Sequence, residues 1–517
     1  MTARFLLLSV LMVAASLWAG TSAAEPSGNP LSPHCWLEDG PIYETHPCYH
    51  GGKFRGITDY LPQIAELGVK TIYLMPVWEQ PYDYGNQPER RYRNVYKMKD
   101  FRLIDPFYGT PADLRALVDA AHARGMKVLF DLVPSHTWKG CALYDRKPFH
   151  KMPLAQLEKL LKARGASLEH KTVRGEPHVY YNLIERDNGA GRMVSAAEIA
   201  GVIVGDDVLL YQFPNMWGIA VDYTNEEAIR YFAEGAAWCV KEFGIDGWRV
   251  DAPVSNWNHR LIREDHSARK LLARVKEAIT QAKPGAVLIS ESVDLLRWKP
   301  GGRRDLLSDE MCDASYNYDF ERAFFSVLQK KQPAHTLVDT VANEPVRNGR
   351  LRLHFTETHD SPRDASVNSQ LGRSAAVLVA TLPGVPMIQA GQEVGATQTY
   401  GFPVDWAAGN AELRKFFCKV FRLRRENDVL RSGSLKNVWK SGGDVCAYAR
   451  IYRGECIVAV VNLADHQAAC TVDLPLDSHG ILTDKLGGGT FAVTDPHNVP
   501  LTVPAFEARV LVFNGKR

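Results

Sequence analysis

The chain has 517 residues, of which 45% are hydrophobic and 23% charged. That is the composition of a globular protein long enough for two or three domains, and it excludes a disordered or fibrous chain. A net charge of +2, from 61 basic and 59 acidic side chains, leaves no electrostatic footprint for nucleic acid or for an anionic membrane as partner.

The N-terminal run MTARFLLLSVLMVAASLWAG carries one Arg ahead of a long apolar stretch, and Ser22-Ala23-Ala24 follows as a small-residue exit. Residues 1–24 therefore read as a signal peptide cut after Ala24, with an uncleaved anchor as the competing reading. No later stretch is apolar and long enough to span a bilayer, so the expected product is soluble, monomeric, and secreted or periplasmic. Export permits disulfides, and the nine cysteines are an odd number, so at least one stays free or pairs between chains. Cys35 and Cys48 flank a turn-rich stretch and are the preferred pair; Cys446, Cys456 and Cys470 could supply another. Cys239 and Cys418 fall on apolar helix faces, as buried thiols do. Neither CxxC nor a Cys/His ligand spacing occurs, so no zinc site is expected.

From about residue 41 strands and helices alternate. PIYETHP is a short strand, and GITDYLPQIAELG a helix with Leu61, Ile64 and Leu67 on one stripe. VKTIYLMPV is almost continuously apolar, as a strand covered on both faces should be. In TPADLRALVDAAHARG, Thr110 caps and Pro111 takes the first helical position. Leu114, Leu117, Val118 and Ala121 form its buried stripe, and Gly125 ends it. MKVLFDLV is the next buried strand and carries Asp131. Such alternation implies parallel pairing through βαβ units.

After His136 the rhythm breaks. Asp131 and Asp251 are 120 positions apart, whereas one βα unit needs roughly 30. Residues 137–218 are therefore an insertion, read as loop-rich with a helix near LAQLEKLLKARG. The rhythm resumes at TNEEAIRYFAEGAAWCVKEFG, with Thr224 and Glu227 as a capping box and Gly244 as the stop. FGIDGWRVDAP follows, then strands at AVLISES, ASYNYDF, LRLHFTETHD and GVPMIQAG, with helices around 265–282, 320–331, 371–382 and 411–427. Eight strands close a (β/α)8 barrel. It is expected over 35–136 and 219–430, in an α/β fold with a loop-rich domain inserted after the third strand. From about 434 to 517 strand-like runs punctuated by Gly, Pro and Asp predict a C-terminal all-β sandwich.

Barrel chemistry sits at the C-terminal strand ends. The polar residues placed there are Asp131, His136, Arg249, Asp251, Glu291, His359 and Asp360, with Tyr96 in the loop before the third strand. Arg249 and Asp251 stand two apart on one strand and so point the same way. The Arg is expected to depress the Asp pKa and keep it ionised, although a plain structural ion pair would look the same. Taken singly, His136 reads equally as a helix cap or core histidine, and Glu291 as a surface residue. Three carboxylates ending different strands are harder to produce that way, and paired Asp and Glu suit glycosidic-bond cleavage.

DLVPSH, GWRVDA, Ser290-Glu291 and FTETHD, in that order, together with LGVKTIYLMPV, DFRLIDPFYGT and LPGVPMIQAGQEVG, resemble the motifs of the α-amylase family, glycoside hydrolase family 13. The resemblance covers nearly the whole chain after the leader. It implies a barrel with an insertion after strand 3, a C-terminal β-sandwich, and cleavage of α-glucosidic bonds. It further implies Asp251 as nucleophile, Glu291 as general acid and base, and Asp360 as transition-state stabiliser. Arg249, His136, His359 and Tyr96 would bind or position the sugar, with Asp131 in support. Ala252 after the nucleophile fits α-1,4 specificity. Ser135 stands where the family usually has a calcium-binding Asn, and Val254 and Ser255 where it has Lys-His, so a structural calcium is not assumed and no other cofactor is expected. Asp206 and Asp207 read as a solvated acidic loop, with cation binding as the competing reading. Thr358, where Asn is common, points to a different subsite preference. A glucanotransferase would keep the same site, and a non-catalytic binding subunit would lack one of the three acids.

Overall fold

Eight short strands, each arising from an apolar run noted above, pair in parallel and in chain order until the last closes on the first. They are β1 Ile42–Thr45, β2 Thr71–Leu74, β3 Lys127–Leu132, β4 Gly247–Val250, β5 Val287–Ser290, β6 Ala314–Tyr316, β7 Leu351–His354 and β8 Val385–Gln389. This computed structural model describes residues 35–81, 92–93, 95–163, 165–173, 175–182, 198–211, 218–253, 268–291, 311–343 and 350–515. The leader at 1–24 and the positions Val254 and Ser255 lie outside the described residues. One interior residue from each strand lines the lumen: Ile42, Tyr73, Leu129, Arg249, Ile289, Tyr316, Leu353 and Met387. Seven of the eight positions are hydrophobic, the expected filling of a closed barrel. Arg249 is the only one of these eight that carries a charge, which makes it conspicuous before any function is assigned.

The outer helices follow their stripes. α1 (Phe54–Glu66) starts two residues ahead of the predicted Gly56, because Phe54 and Ile57 extend the face of Leu61 and Ile64. α2 (Pro111–His122) has the cap read from its sequence. Thr110 Oγ1 accepts the Asp113 N–H at 3.2 Å, and the Asp113 carboxylate accepts the Thr110 N–H at 2.8 Å. α3 (Glu226–Phe243) is capped one residue later than predicted. Asn225 Oδ1 accepts the Glu227 N–H at 2.9 Å, while the Thr224 hydroxyl donates to Asp222. Asn caps at least as well as Thr, and one position decides which residue still has extended backbone. Gly244, at φ +73°, ends α3 in the left-handed conformation and turns the chain into β4.

Under β4 the closed end of the barrel is held by one acid. The buried carboxylate of Asp246 contacts His122 at 2.7 Å, Lys283 at 2.8 Å, Lys127 at 3.2 Å and the Val128 N–H at 2.9 Å. Burial alone would raise its pKa; His122, Lys283 and the Val128 amide outweigh that and hold it well below the usual carboxylate range. A depressed carboxyl contributes stability that is full above its unfolded pKa, about 4, and is lost as pH falls towards the folded value. Asp246→Asn is therefore expected to lower unfolding free energy by about 3 kcal/mol at pH 7, with a smaller deficit in acid. Guanidinium midpoints at two pH values measure this, and an unchanged midpoint at pH 7 would refute it.

The insertion differs from its prediction. Its helix is present over Leu154–Ala163, but the bulk is a five-stranded antiparallel sheet rather than loop. Its strands run in the order Lys151–Pro153, Asp207–Leu210, Glu198–Val204, Glu176–Asn182 and Ser167–Val173. Leu157, Leu161, Val179, Ala200, Val208 and Leu210 form its core. Short strands with one wet face alternate polar and apolar residues, so their polar half resembles loop sequence. A two-stranded neck, His136–Thr137 against Ile219–Ala220, joins the insertion to the barrel and fixes His136 at the barrel mouth. Asp207 pairs with Lys151 at 3.0 Å, and Asp206 is exposed.

Beyond α4 (Ala411–Glu426) and a short helix at Asp428–Ser432 the chain is all β, in a six-stranded and a three-stranded sheet. Alternation along Val445–Tyr452 divides two cores. Val445, Ala447 and Ala449 face the sandwich interior, while Cys446 and Tyr448 join the barrel core. The buried Arg450 clamps this joint through the carbonyls of Thr381, Leu430 and Gly433.

All nine cysteines are free thiols, Cys239 and Cys418 buried among them, and the Cys35–Cys48 pairing is not made. β1 lies between those two residues. A strand rises about 3.3 Å per residue, which carries the two Cα atoms beyond the roughly 7 Å that a disulfide spans. Cys446 faces the barrel core and Cys456 and Cys470 the sandwich core, and all three are free thiols.

Candidate active site

β3 and β4 run in register with Arg249 opposite Asp131, and the site grows from that pair. Arg249 is 1% exposed, and a buried guanidinium needs counter-charges around it. Its Nη1 lies 3.0 Å from both oxygens of Asp131 and 3.0 Å from Asp251 Oδ1. Its Nη2 lies 2.8 Å from Glu291 Oε2. One planar fork thus holds three carboxylates from three strands, a geometry that Lys could not supply. The rings of Tyr73, Tyr96 and Tyr316 surround the guanidinium within 6 Å.

Asp251 follows the last residue of β4, and its N–H donates to the Leu132 carbonyl at 2.8 Å. Ala252 then adopts φ +35°, a conformation that costs a residue with a Cβ and is concentrated at functional turns. The kink aims the Ala252 N–H at Glu291 Oε2, 2.8 Å away. The other oxygen, Oε1, is 2.9 Å from the Tyr318 hydroxyl. Since Oε2 accepts the Ala252 N–H and faces the Arg249 charge, a proton carried by Glu291 is better placed on Oε1.

The electrostatics reverse one expectation. Arg249 does favour ionised Asp251, but burial is the larger effect, and the charges of Asp131 and Asp360 add to it. The Asp251 pKa rises to about 6. Glu291 is buried as deeply, and Arg249 only partly offsets the burial. With Asp251 and Asp360 adding like charge, its pKa reaches about 7. The two interact through the same guanidinium and titrate as a pair, with the proton favouring Glu291.

The remaining predicted residues join the same network. Tyr96 Oη is 3.1 Å from Asp131 Oδ2 and 2.8 Å from His359 Nε2. The Tyr96 and His359 rings stack at 5.4 Å. Asp360 Oδ2 lies 3.4 Å from His359 Nε2, with its side chain 57% exposed at the mouth. His136 Nε2 meets the Tyr96 carbonyl at 3.1 Å, and its Nδ1 meets Ser135 Oγ at 2.9 Å. All eight candidates are therefore connected at the open end of the barrel.

Four members escaped the sequence reading. Ser135 Oγ also lies 3.3 Å from Asp251 Oδ2. Tyr73 donates to Asp131 at 2.5 Å, Tyr318 reaches Glu291, and Glu44 of β1 bonds His359 Nδ1. Glu44 had a readable signal, a lone carboxylate inside a buried strand; the tyrosines had none, since aromatic residues fill any core. The Ser135 hydroxyl is thus engaged by both His136 and Asp251. Among the described residues no group of three or more His, Cys, Asp or Glu side chains is gathered as metal ligands.

The alpha amylase catalytic-domain family matches this chain over residues 22–156 and 206–441, leaving out most of the inserted sheet. A cyclomaltodextrinase of Thermoanaerobacter pseudethanolicus is 25% identical over 441 residues, 82% of this chain and 65% of that protein. A cyclomaltodextrin glucanotransferase of Geobacillus stearothermophilus is also 25% identical, over 85% of this chain and 58% of its own length. The chain thus spans under two thirds of the length of both relatives. Among solved structures, an alpha-amylase from Geobacillus thermoleovorans complexed with acarbose superposes with a TM-score of 0.67 at 20% identity, over 94% of this chain and all of that one. With the catalytic-domain match covering more than half of its residues, the chain belongs to the α-amylase family.

Proposed function

We propose that this protein is a retaining glycoside hydrolase that cleaves α-glucosidic bonds, α-1,4 bonds of starch-like glucans or maltooligosaccharides, and that its N-terminal leader exports it. The observation that carries the reading is the pair of carboxyls, Asp251 and Glu291, held from two strand ends by one guanidinium. Asp251, ionised, attacks the anomeric carbon to form a glycosyl-enzyme, while Glu291 Oε1 gives its proton to the leaving oxygen. Glu291 then takes a proton from the incoming water, which displaces Asp251 from the sugar. Asp360, at the open mouth, bonds sugar hydroxyls and faces the positive charge that develops on the ring. His136, His359 and Tyr96 line the sugar subsite, and Asp131 keeps Arg249 in place. No metal or other cofactor enters any of these steps.

The similarity to a glucanotransferase supports a second reading, in which a sugar hydroxyl replaces water. Incubation with maltohexaose, read by mass spectrometry and by NMR of the first-formed anomer, separates the two. Hydrolysis with retention gives only shorter oligosaccharides, initially as α-anomers. Products longer than the substrate would establish transfer, and a folded protein inert on maltooligosaccharides, starch, trehalose and sucrose would overturn the enzymatic reading.

A further inference from the structure

His359 has an acidic or hydroxyl partner at each ring nitrogen, and one of these comes from the far side of the chain. Glu44 in β1 is fully buried, with one carboxylate oxygen on His359 Nδ1 and the other without a hydrogen-bond partner. A buried carboxylate in that position needs a counter-charge or a proton. At Nε2 the partner is Tyr96 Oη, and that hydroxyl has its own acceptor in Asp131 Oδ2, which Arg249 Nη1 also contacts. A hydroxyl has one proton. If Tyr96 donates it to Asp131, its oxygen accepts from His359 Nε2–H, while Nδ1–H is given to Glu44.

We propose that Glu44 is a positioning residue that holds His359 as an imidazolium, so that its Nε2–H is presented to Tyr96, Asp360 and the sugar hydroxyl between them. The surroundings agree. Around the ring stand Glu44 from β1, Tyr96 with Asp131 and Arg249 behind it, Asp360 on the same loop, the edge-on ring of Tyr400, and His46 further off. Burial opposes a charge on His359, and the carboxylates of Asp360 and Glu44 outweigh it, raising its pKa to about 9. Tyr96, Tyr400 and His46 carry no charge that would compensate for the loss of Glu44, so the imidazolium depends on this one β1 side chain and on Asp360. The proposal deepens the glycosidase reading, and its sugar contact rests on that reading; the charge on His359 does not.

Glu44→Gln keeps a side chain of the same shape and a hydrogen-bond acceptor but removes the charge. In ¹⁵N-histidine spectra of the whole protein, with His359 assigned through His359→Asn, the wild-type ring is expected to stay doubly protonated at pH 8. In Glu44→Gln its titration should fall by more than about one pH unit. A neutral ring at pH 7 in the wild type, or a titration unmoved by Glu44→Gln, overturns the proposal whether or not the enzyme turns over glucans. On a maltooligosaccharide, kcat/KM of Glu44→Gln should be down about tenfold or more at pH 8 and recover most of that deficit at pH 5, where His359 is protonated without Glu44's help. A purely packing role gives an equal loss at both pH values and also overturns the proposal. Equal melting curves show that both variants are folded.

Discussion

Asp251→Asn abolishes nearly all turnover while the barrel stays folded. Asn retains an oxygen for the Arg249 Nη1 bond, and removing one negative charge relieves a cluster in which a single guanidinium faces three carboxylates. The fold therefore tolerates the change, but no anion remains to attack the sugar. The expected loss in kcat/KM is about 10⁴-fold, or about 5.5 kcal/mol of transition-state stabilisation. Glu291→Gln has a different signature. Gln offers an oxygen to the Ala252 N–H and Arg249, and its NH₂ can donate to Tyr318, so packing is conserved. It cannot give a proton to the leaving oxygen, and general acid catalysis of this kind contributes roughly 10²–10⁴-fold. A glycosyl fluoride, whose leaving group needs little protonation, should restore the first step. The second step still lacks its base, so a glycosyl adduct accumulates on Asp251 and peptide mass mapping locates it. Near-normal rates in either variant, or an adduct on another residue, would falsify the assigned roles.

The second large effect is on pH. Turnover needs Asp251 ionised and Glu291 protonated, and the pair titrates near 6 and 7. The kcat/KM profile is accordingly a narrow bell, highest between those values and falling about tenfold per pH unit on either side. At pH 9 the loss is about a hundredfold. In Glu291→Gln the alkaline limb should vanish from whatever rate remains. Stability should move in the matching sense. Both pKa values are raised by folding, so these groups contribute stability below the ordinary carboxylate pKa of about 4, and that contribution is lost as pH rises through 6 and 7. Asp251→Asn should therefore gain in melting temperature over the wild type between pH 5 and pH 8. A broad plateau of activity from pH 5 to 9 would contradict the pairing.

Much of this protein was legible in one dimension. Buried parallel strands need apolar side chains on both faces, so VKTIYLMPV and MKVLFDLV declare themselves, and α2 announces its own cap in Thr110-Pro111. Polar residues that end such strands have little structural reason to be there, which is why Asp131, Asp251 and Glu291 stand out. The inserted sheet was harder, because a strand such as Ser167–Val173 is polar everywhere except Leu168 and Val173 and looks like loop. Disulfide pairing was harder still. Cys35 and Cys48 are close in sequence, and only the path of β1 between them keeps them apart.

The sequence by itself determined the barrel, the order of its strands and the identity of the acids, since these follow from local periodicity and from residue type. The tertiary structure decided what the acids are. Arg249 beside Asp251 promised a depressed pKa, but burial and the neighbouring carboxylates, which arrive from other strands, raise it instead. It likewise decided that Ser135 faces Asp251 and that Glu44, 315 positions from His359, meets its ring. Desolvation and Coulomb interactions depend on distance in space, and a linear sequence records distance only along the chain.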